Sequence, residues 1–229
     1  MSAKDIASGA LAPDDPAAIE MAAFASIDAY TLGDGVRRAG TGGILHGLRP
    51  QVGATRFIGR ALTARIRHEP HRDIAVRDYG GAALRDRAQP GDVVVLDGGG
   101  LPLTAMGALA YAVLSRHKAA AAVVNACVRD LEQMEDMATG LPVFALGAGI
   151  TSVAGHGYIT DIGEPVHIDG IRIATGDLLA GCRGGIVVIP WADRGAVLKV
   201  AQAIIESDNL VMQGIERGES MDSLWNKYK

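Results

Sequence analysis

The sequence predicts a single α/β domain built on a mixed β-sheet, and three observations support this prediction. The chain has 229 residues, a length that one α/β domain can fill. Strand-like apolar runs alternate with helical segments over the first two-thirds of the chain, which indicates parallel strands joined by helices. After Gly147, strand-like segments follow one another directly, which favours antiparallel pairing and therefore a mixed sheet.

Hydrophobic periodicity and turn residues predict the order of the elements. Pro90-Gly91 marks a turn before a buried strand, and Asp169-Gly170 is typical of a hairpin turn. The predicted helices cover residues 16–30, 74–87, 104–117, 131–139, 192–215 and a short stretch near 225. The predicted strands cover 60–68, 92–97, 121–125, 141–146, a hairpin over 166–174, 178–181 and 184–190, while 1–15 form a loose arm and 33–47 a loop.

Composition and charge exclude several classes of function. The net charge is −4, and the arginines between Arg60 and Arg87 are interspersed with acids, so nucleic-acid binding is not expected. No run of about eighteen uncharged apolar residues occurs, so no membrane span is expected. Two cysteines without a CxxC pair and an N-terminus without a secretory pattern favour a cytoplasmic protein.

Asp97 and the glycines Gly98 to Gly100 form the first candidate site. The segment follows a predicted buried strand and precedes a predicted helix. Glycines let a ligand approach the backbone, and a helix N-terminus offers unpaired N–H groups to a carboxylate or a phosphate. The spacing matches neither the P-loop nor the dinucleotide-binding fingerprint. A tight structural turn explains the same glycines, so both interpretations remain open.

Arg129 and Asp130 form the second candidate site. The strongly apolar residues 121–124 predict a strand that delivers this pair to its end. Arginine binds a planar carboxylate through two parallel hydrogen bonds, and aspartate provides the hard oxygen that Mg²⁺ or Mn²⁺ prefers. The pair therefore suits an oxoacid and a metal ion that polarises its carbonyl group. The alternative is a salt-bridged helix start, with Asp130 near the N-cap.

Other chemistries are disfavoured. Pro70 prevents His68 and His71 from sharing one helix face, which argues against a zinc site there. The sequence has no Gly-x-Ser-x-Gly elbow. Cys127 is expected as a small core residue, and the alternative is a reactive thiol beside the Arg129-Asp130 pair. A Schiff-base lysine should be buried near strand ends. The lysines lie instead at the termini or at predicted exposed helix positions: Lys4, Lys118, Lys199, Lys227 and Lys229.

Taken in order, these motifs resemble the RraA-like superfamily, which contains the metal-dependent HMG/CHA (4-hydroxy-4-methyl-2-oxoglutarate/4-carboxy-4-hydroxy-2-oxoadipate) aldolases. Each motif is weak alone, but the ordered set is specific and spans about residues 20–228. The motifs are Gly91-Asp92-Val93-Val94-Val95 with the glycine-rich loop and small-residue helix after it, Val128-Arg129-Asp130, Leu141-Pro142-Val143-Phe144, the segment from Pro165 to Asp177, and Gly184-Gly185-Ile186-Val187-Val188-Ile189-Pro190.

The resemblance implies the residues of an active site. In the aldolases, the position of Asp130 holds a divalent cation, here expected to be Mg²⁺ or Mn²⁺, and that of Arg129 binds the pyruvyl carboxylate or enolate. Backbone amides at the start of the preceding helix assist, at Gly107, Ala108, Leu109 and Ala110. An acid that orients water in the family stands twenty-one residues before the arginine, where this chain has Ala108. Asp97 is a candidate to replace that acid.

The resemblance also implies the fold and the assembly. It predicts a swivelling β/β/α domain with a mixed central sheet, assembled as a trimer or hexamer with sites between subunits. The C-terminal helical segment, 192–229, would lie at the subunit interface, and Asp208 on it would supply a further acid to a neighbouring subunit's site.

Three functions follow as hypotheses. The first is a metal-dependent lyase that cleaves a 2-oxo acid, by retro-aldol cleavage or by oxaloacetate-type decarboxylation; the lack of an acid at Ala108 should impair the aldol direction more. The second is a protein-binding regulator of ribonuclease E, as in other relatives of the superfamily. The third is a related metal-dependent reaction on another carboxylate substrate.

Overall fold

The structure is a computed structural model that describes residues 16–69, 74–75 and 79–228, without the side chains of 16–18. The predicted arm over 1–15 and His71 lie outside the described residues. Part of the predicted 74–87 helix, residues 76–78, also lies outside them. The helices are α1 (Pro16–Ala25), α2 (Ala29–Ala39), α3 (Gly81–Arg87), α4 (Ala108–Arg116), α5 (Leu131–Asp136), α6 (Arg194–Glu216) and α7 (Met221–Tyr228).

A mixed sheet organises the described part of the chain, as predicted. Its strands are β1 (Gly43–Leu45), β2 (Arg49–Val52), β3 (Phe57–His68), β4 (Asp92–Met106), β5 (Ala121–Val128), β6 (Val143–Ala148), β7 (Gly157–Thr160), β10 (Leu178–Cys182) and β11 (Gly185–Ile189), while β8 (Val166–Ile168) and β9 (Ile171–Ile173) form a separate hairpin. The order is β1-β11-β10-β3-β4-β5-β6-β2, with β7 also paired to β3. Strands β3 to β6 are parallel, and the flanking pairs are antiparallel.

Alternation along the central strands places apolar side chains on both faces of the sheet. Val94 and Val124 face a cluster that includes Leu84, Tyr111 and Met134 of helices α3, α4 and α5. Their neighbours along the strands, such as Val93 and Val123, face a second cluster that includes the β8-β9 hairpin and parts of β10 and β11. The outer side of β10 and β11 packs against α1, α2 and α6 in a third cluster. Buried on both faces, β4 and β5 have the continuous apolar sequence expected of central parallel strands.

The N-terminal helical region differs from its prediction as one helix followed by a loop. Two helices form there, because the carboxylate of Asp28 accepts hydrogen bonds from the backbone N–H groups of Tyr30 and Thr31 and starts a second helix. Gly33 and Gly35, read as loop residues, lie buried in α2. A Cβ at Gly33 would be 3.4 Å from Ile44, and one at Gly35 would be 3.3 Å from Val197. The glycines therefore let α2 pack closely against β1 and α6.

The glycine triplet does not end β4, which corrects the prediction for Asp97 and Gly98 to Gly100. Gly99 and Gly100 adopt positive φ angles of 68° and 74°, and the pairing with β5 shifts register but continues to Met106. Helix α4 then begins at Ala108, four residues later than predicted. The triplet is thus an irregularity within a strand, and the proposed anion site at a helix start cannot be formed by it.

The C-terminal segment forms a helical hairpin, in agreement with the helices predicted there. Helix α6 packs against α2, and α7 folds back onto α6. A Cβ at Gly214 would lie 2.1 Å from Leu224, so the glycine permits this close crossing. No helix in the described ranges is long and apolar enough to cross a membrane.

Candidate functional site

Strands β4 and β5 end side by side, and the candidate site lies where α4 and α5 start. Met106 is in register with Val128 at the last pair of the two strands. The backbone N–H of Arg129 donates a hydrogen bond to the carbonyl oxygen of Met106, with an N–O distance of 3.1 Å. Because parallel strands deliver their carboxyl ends to the same edge, the start of α4 and the Arg129-Asp130 pair meet here.

Asp130 occupies the N-cap position of α5 but does not cap that helix. Its backbone is left-handed, with φ 60° and ψ 37°, a region that aspartate tolerates better than most residues. Its carboxylate turns toward the preceding helix, where Oδ2 accepts a hydrogen bond of 3.2 Å from the backbone N–H of Ala108. The alternative interpretation, a helix that starts near Asp130, is therefore correct about where the helix begins. The side chain, however, caps α4 and not its own helix.

Arg129 and Asp130 remain accessible. The guanidinium Nε lies 3.5 Å from Oδ2 of Asp130, and the two side chains are 47% and 38% exposed. Within the described part of the chain, the two Nη atoms of Arg129 make no hydrogen bond, and Oδ1 of Asp130 accepts none. An exposed ion pair of this kind contributes little to stability. The two Nη groups of Arg129 and Oδ1 of Asp130 are consequently available to a ligand.

The first turn of α4 adds backbone donors to the site. The first hydrogen bond within the helix runs from the N–H of Tyr111 to the carbonyl of Gly107, so the N–H groups of Leu109 and Ala110 have no partner inside the helix. The positive end of the helix dipole points the same way. This arrangement, a guanidinium beside free backbone N–H groups, is suited to a carboxylate or an oxyanion.

Ala108 and Asp97 do not supply a second acid. Ala108 is 2% exposed and belongs to the cluster between the sheet and α3 to α5. Asp97 is in register with Asn125, four residues before Arg129 on β5, which corresponds to about 13 Å along the strand. Its Oδ1 accepts hydrogen bonds from Asn125 Nδ2 and from the N–H of Gly99. Within one chain, Asp97 is therefore placed before the strand end that carries the pair, and one of its oxygens is already used by its strand neighbours.

The donor set fits a hard cation with few protein ligands. Among the described residues, no group of three or more histidine, cysteine, aspartate or glutamate side chains is placed to hold a metal ion. Mg²⁺ is commonly bound by one or two carboxylates and several waters, whereas a structural zinc site needs four protein ligands. The half-exposed carboxylate of Asp130, whose Oδ1 has no partner among the described residues, meets the first requirement.

Asp208 lies on a different element from the Arg129-Asp130 pair, helix α6. It is exposed on α6, which packs through the third cluster against the outer side of β10 and β11. Arg129 follows β5, in a different part of the protomer.

Sequence reasoning missed several features of the site. Cys127, expected in the core, is partly exposed. Leu109 and Ile150 are 84% and 92% exposed. Ile150 is near the pair because the N–H of Gly149 donates to the carbonyl of Val128, at 2.8 Å. Apolar residues at these positions were indistinguishable from core residues in the sequence.

Comparison with known proteins agrees with this architecture. The family model RraA-like, described as Aldolase/RraA, matches residues 28–188, and the chain belongs to this family. Over 167 residues the chain is 31% identical to a Burkholderia multivorans protein whose name proposes a 4-hydroxy-4-methyl-2-oxoglutarate aldolase, with 72% of this chain and 95% of that protein covered.

Two further likenesses extend over more of the chain. Protein DlpA of Legionella pneumophila is 25% identical over 198 residues, which are 86% of this chain and 32% of DlpA, so the chain spans about a third of that relative. The crystal structure of Streptomyces coelicolor RraAS2, described as an unusual member of the RNase ES inhibitor RraA protein family, superposes with a TM-score of 0.76 at 19% identity. It covers 85% of this chain and 97% of RraAS2, and it shows a shared fold.

Proposed function

We propose that this protein is a divalent-metal-dependent lyase that cleaves a carbon–carbon bond in a 2-oxo acid and releases pyruvate. The single observation that supports it most is the meeting of Arg129, Asp130 and the free N–H groups of α4 at one edge of the sheet. Membership of the Aldolase/RraA family, with relatives whose names propose aldolases, supports the same reaction class.

Each group has a role that follows from its chemistry. The guanidinium of Arg129 binds the substrate carboxylate, and the N–H groups of Leu109 and Ala110 donate to oxygen atoms that become negative during cleavage. Asp130 would hold Mg²⁺ or Mn²⁺, which when bound acts as a Lewis acid on the 2-oxo group. The half-exposed position of Arg129 and Asp130 leaves them open to a substrate from solution.

Decarboxylation of an oxaloacetate-type acid is the reaction that the residues support best. In retro-aldol cleavage, a base must remove the proton of the substrate hydroxyl group. Decarboxylation needs no such base, because the electrons of the breaking bond pass directly into the 2-oxo group as carbon dioxide leaves. Ala108 provides no base, and Asp97 lies about 13 Å along the sheet from the pair. Retro-aldol cleavage is therefore the slower of the two reactions.

We further propose that the chain works as a homo-oligomer, a trimer or a hexamer, in which Asp208 of one subunit faces the Arg129 site of the next. The support is that Asp208 is exposed on α6, a helix that packs against α2 and the outer side of β10 and β11. The large exposure of Leu109 and Ile150 beside the site suits burial by a second subunit. Light scattering at micromolar concentration should show an oligomer; a monomer alone would contradict the shared site.

The test is pyruvate release, measured with a coupled assay, from oxaloacetate and from a 4-hydroxy-4-carboxy-2-oxo acid. Mg²⁺ or Mn²⁺ should be required, and oxaloacetate should react faster. Because free metal ions promote decarboxylation themselves, the matched control is Asp130→Asn protein with the same metal concentration. Full activity in excess chelator would contradict metal dependence. A metal-loaded protein inactive on both substrates would contradict the lyase proposal.

Ala108 favours a second candidate, a regulator that binds ribonuclease E. A chain without the acid at this position has lost one group that the aldolase resemblance assigns to catalysis. The test is a titration of this protein into a ribonuclease E cleavage assay. Inhibition that persists in the Asp130→Asn protein, together with no lyase activity, would establish this role in place of the first.

A further inference from the structure

We infer that Gly107 is a positioning residue: the absence of a side chain there lets the Asp130 carboxylate lie against the start of α4 and keeps Arg129 beside it. The consequence for catalysis rests on the proposed function, whereas the positioning itself is a property of the chain alone. Gly107 was named from the sequence only as a possible donor of a backbone amide.

The space at Gly107 is filled by the two residues of the pair. A Cβ built at position 107 would lie 2.5 Å from Oδ2 of Asp130, and 3.3 Å from both Cγ and Nε of Arg129. The first distance is shorter than any normal carbon–oxygen contact, so even an alanine would displace the carboxylate. Apart from the chain neighbours, the three nearest atoms all belong to Arg129 or Asp130.

The backbone does not itself require glycine at this position. Gly107 has φ −140° and ψ −171°, an extended conformation that any residue adopts. Gly53 provides a contrast: its φ is 77°, and a Cβ there would meet the backbone of Leu141. The physical reason for glycine at 107 is therefore space for the pair and not backbone freedom.

The close approach lets Asp130 cap α4 with one carboxylate oxygen while the other oxygen stays available. Gly107 is the N-cap residue of α4 and has no side chain to cap the helix, so the N–H of Ala108 is capped by Asp130 from the following strand end. This bond fixes Oδ2 and leaves Oδ1 directed away from it. A side chain at 107 would break the bond while the link from Arg129 N–H to the carbonyl of Met106 holds the strand ends in place.

The experiment compares Gly107→Ala with Gly147→Ala. Gly147 lies on the neighbouring strand β6, and a Cβ there would have no atom within 4 Å. Hydrogen exchange of the Ala108 amide, followed by NMR without metal, reports the Asp130 contact directly. We expect exchange about 10-fold faster in Gly107→Ala and unchanged in Gly147→Ala. Equal protection of Ala108 in both variants would overturn the inference.

Metal binding and kinetics extend the test to function. Calorimetry with Mn²⁺ should give a dissociation constant raised about 10-fold in Gly107→Ala, with kcat lowered more than KM is raised. Wild-type protein that binds no Mn²⁺ and has no lyase activity would refute the proposed function, and the amide exchange would still decide the positioning. Normal Mn²⁺ binding in Gly107→Ala would refute the positioning alone.

A double-mutant cycle covers the case in which Gly107→Ala destabilises the fold. Asp130→Gly removes the carboxylate and accepts the φ of 60° without strain. The fall in Tm caused by Gly107→Ala should shrink by at least about half in the Asp130→Gly background, because the closest clash is gone. The same fall in both backgrounds would show that position 107 is constrained by something else.

Discussion

The two ends of the parallel strands carry polar clusters of opposite character. At the carboxyl ends, Arg129 and Asp130 are about half exposed and share few internal contacts. At the amino ends, Arg60 and Asp92 are in register on β3 and β4, and each side chain is hydrogen-bonded to a backbone group: Arg60 Nε donates to the carbonyl of Gly176, and Asp92 accepts from the N–H of Gln89. Both clusters contain arginine and aspartate beside a helix start, so residue type alone does not distinguish a binding site from a structural one.

The amino-end cluster anchors α6 to the sheet. Asp177 is 7% exposed, and its two oxygens accept hydrogen bonds from the N–H groups of Trp191, at 3.0 Å, and Ala174, at 2.8 Å. The guanidinium groups of Arg60 and Arg194 lie 4.2 and 4.0 Å from the centre of the Trp191 ring. Burial lowers the pKa of Arg60 and raises that of the Asp92 carboxyl group.

The difference lies in how many donors and acceptors are already used. The carboxylate of Asp177 is satisfied on both oxygens, whereas Asp130 uses one oxygen and Arg129 keeps both Nη atoms free within the described residues. A satisfied buried group stabilises the fold. A partly satisfied, exposed group has capacity for a ligand. Substitutions at the carboxyl ends of the strands should therefore affect activity, and substitutions at the amino ends should affect stability.

The largest expected effect is on activity, in Asp130→Asn. Asparagine tolerates the φ of 60° at this position, so the charge is removed without a change of backbone. Pyruvate release should fall more than about 100-fold, since even outer partners of a metal site cost about 10–100-fold when removed. The assay is metal-dependent turnover of oxaloacetate, with circular dichroism to verify folding. Retained activity would show that the carboxylate has no part in the reaction.

The second effect is on stability, in Asp177→Ala. The change leaves two partly buried N–H groups, those of Ala174 and Trp191, without their acceptor. We expect a loss of about 2–4 kcal/mol in the free energy of unfolding, measured by chemical denaturation. The turnover per folded molecule should stay at the wild-type value. A large loss of activity with normal stability would contradict the division between the two ends.

The third effect is on substrate binding, in Arg129→Lys. Lysine keeps the charge but provides no planar pair of donors for a carboxylate. The value of kcat/KM should fall about 10- to 100-fold, because one charge-assisted hydrogen bond contributes about 1.5–3 kcal/mol. Arg60→Lys is the matched control at the other end of the strands. Equal kcat/KM in wild type and Arg129→Lys would show that this arginine does not bind the substrate.

The central strands and the position of the Arg129-Asp130 pair at a strand end were predictable because they depend on local pattern. The apolar run that begins at Ala121 predicts a buried strand, and the polar pair Arg129-Asp130 at its end predicts a site at the sheet edge. The hairpin around Asp169-Gly170 was predicted by its turn residues and is confirmed by the pairing of β8 with β9.

The remaining features depend on contacts between segments far apart in sequence. Gly98 to Gly100 have the local composition of a break, but pairing with β5 continues the strand beyond them. Gly33 lies in a helix because it packs against Ile44, which no local pattern reveals. Asp130 turns toward Ala108, twenty-two residues earlier, so its direction could not be derived from its own helix start.

The smallest effect is expected for Ala108→Asp, which restores an acid where the aldolase resemblance expects one. Retro-aldol cleavage should rise by no more than about 10-fold, below the usual value of about 10²–10⁴-fold for a positioned general base. The reason is that Ala108 is 2% exposed and its N–H already bonds to Asp130, so a new carboxylate would be crowded and close to a like charge. Decarboxylation of oxaloacetate should be unchanged.

Leu109→Asp separates position from charge in this experiment. It adds the same charge to the same helix turn, at a side chain that is 84% exposed. If the acid must stand at 108, only Ala108→Asp should raise the ratio of retro-aldol cleavage to decarboxylation, measured as pyruvate release from the two substrates. A similar rise in Leu109→Asp would mean that charge near the start of α4 suffices. The carboxyl-end cluster would then be a site defined by its electrostatic field more than by exact positions.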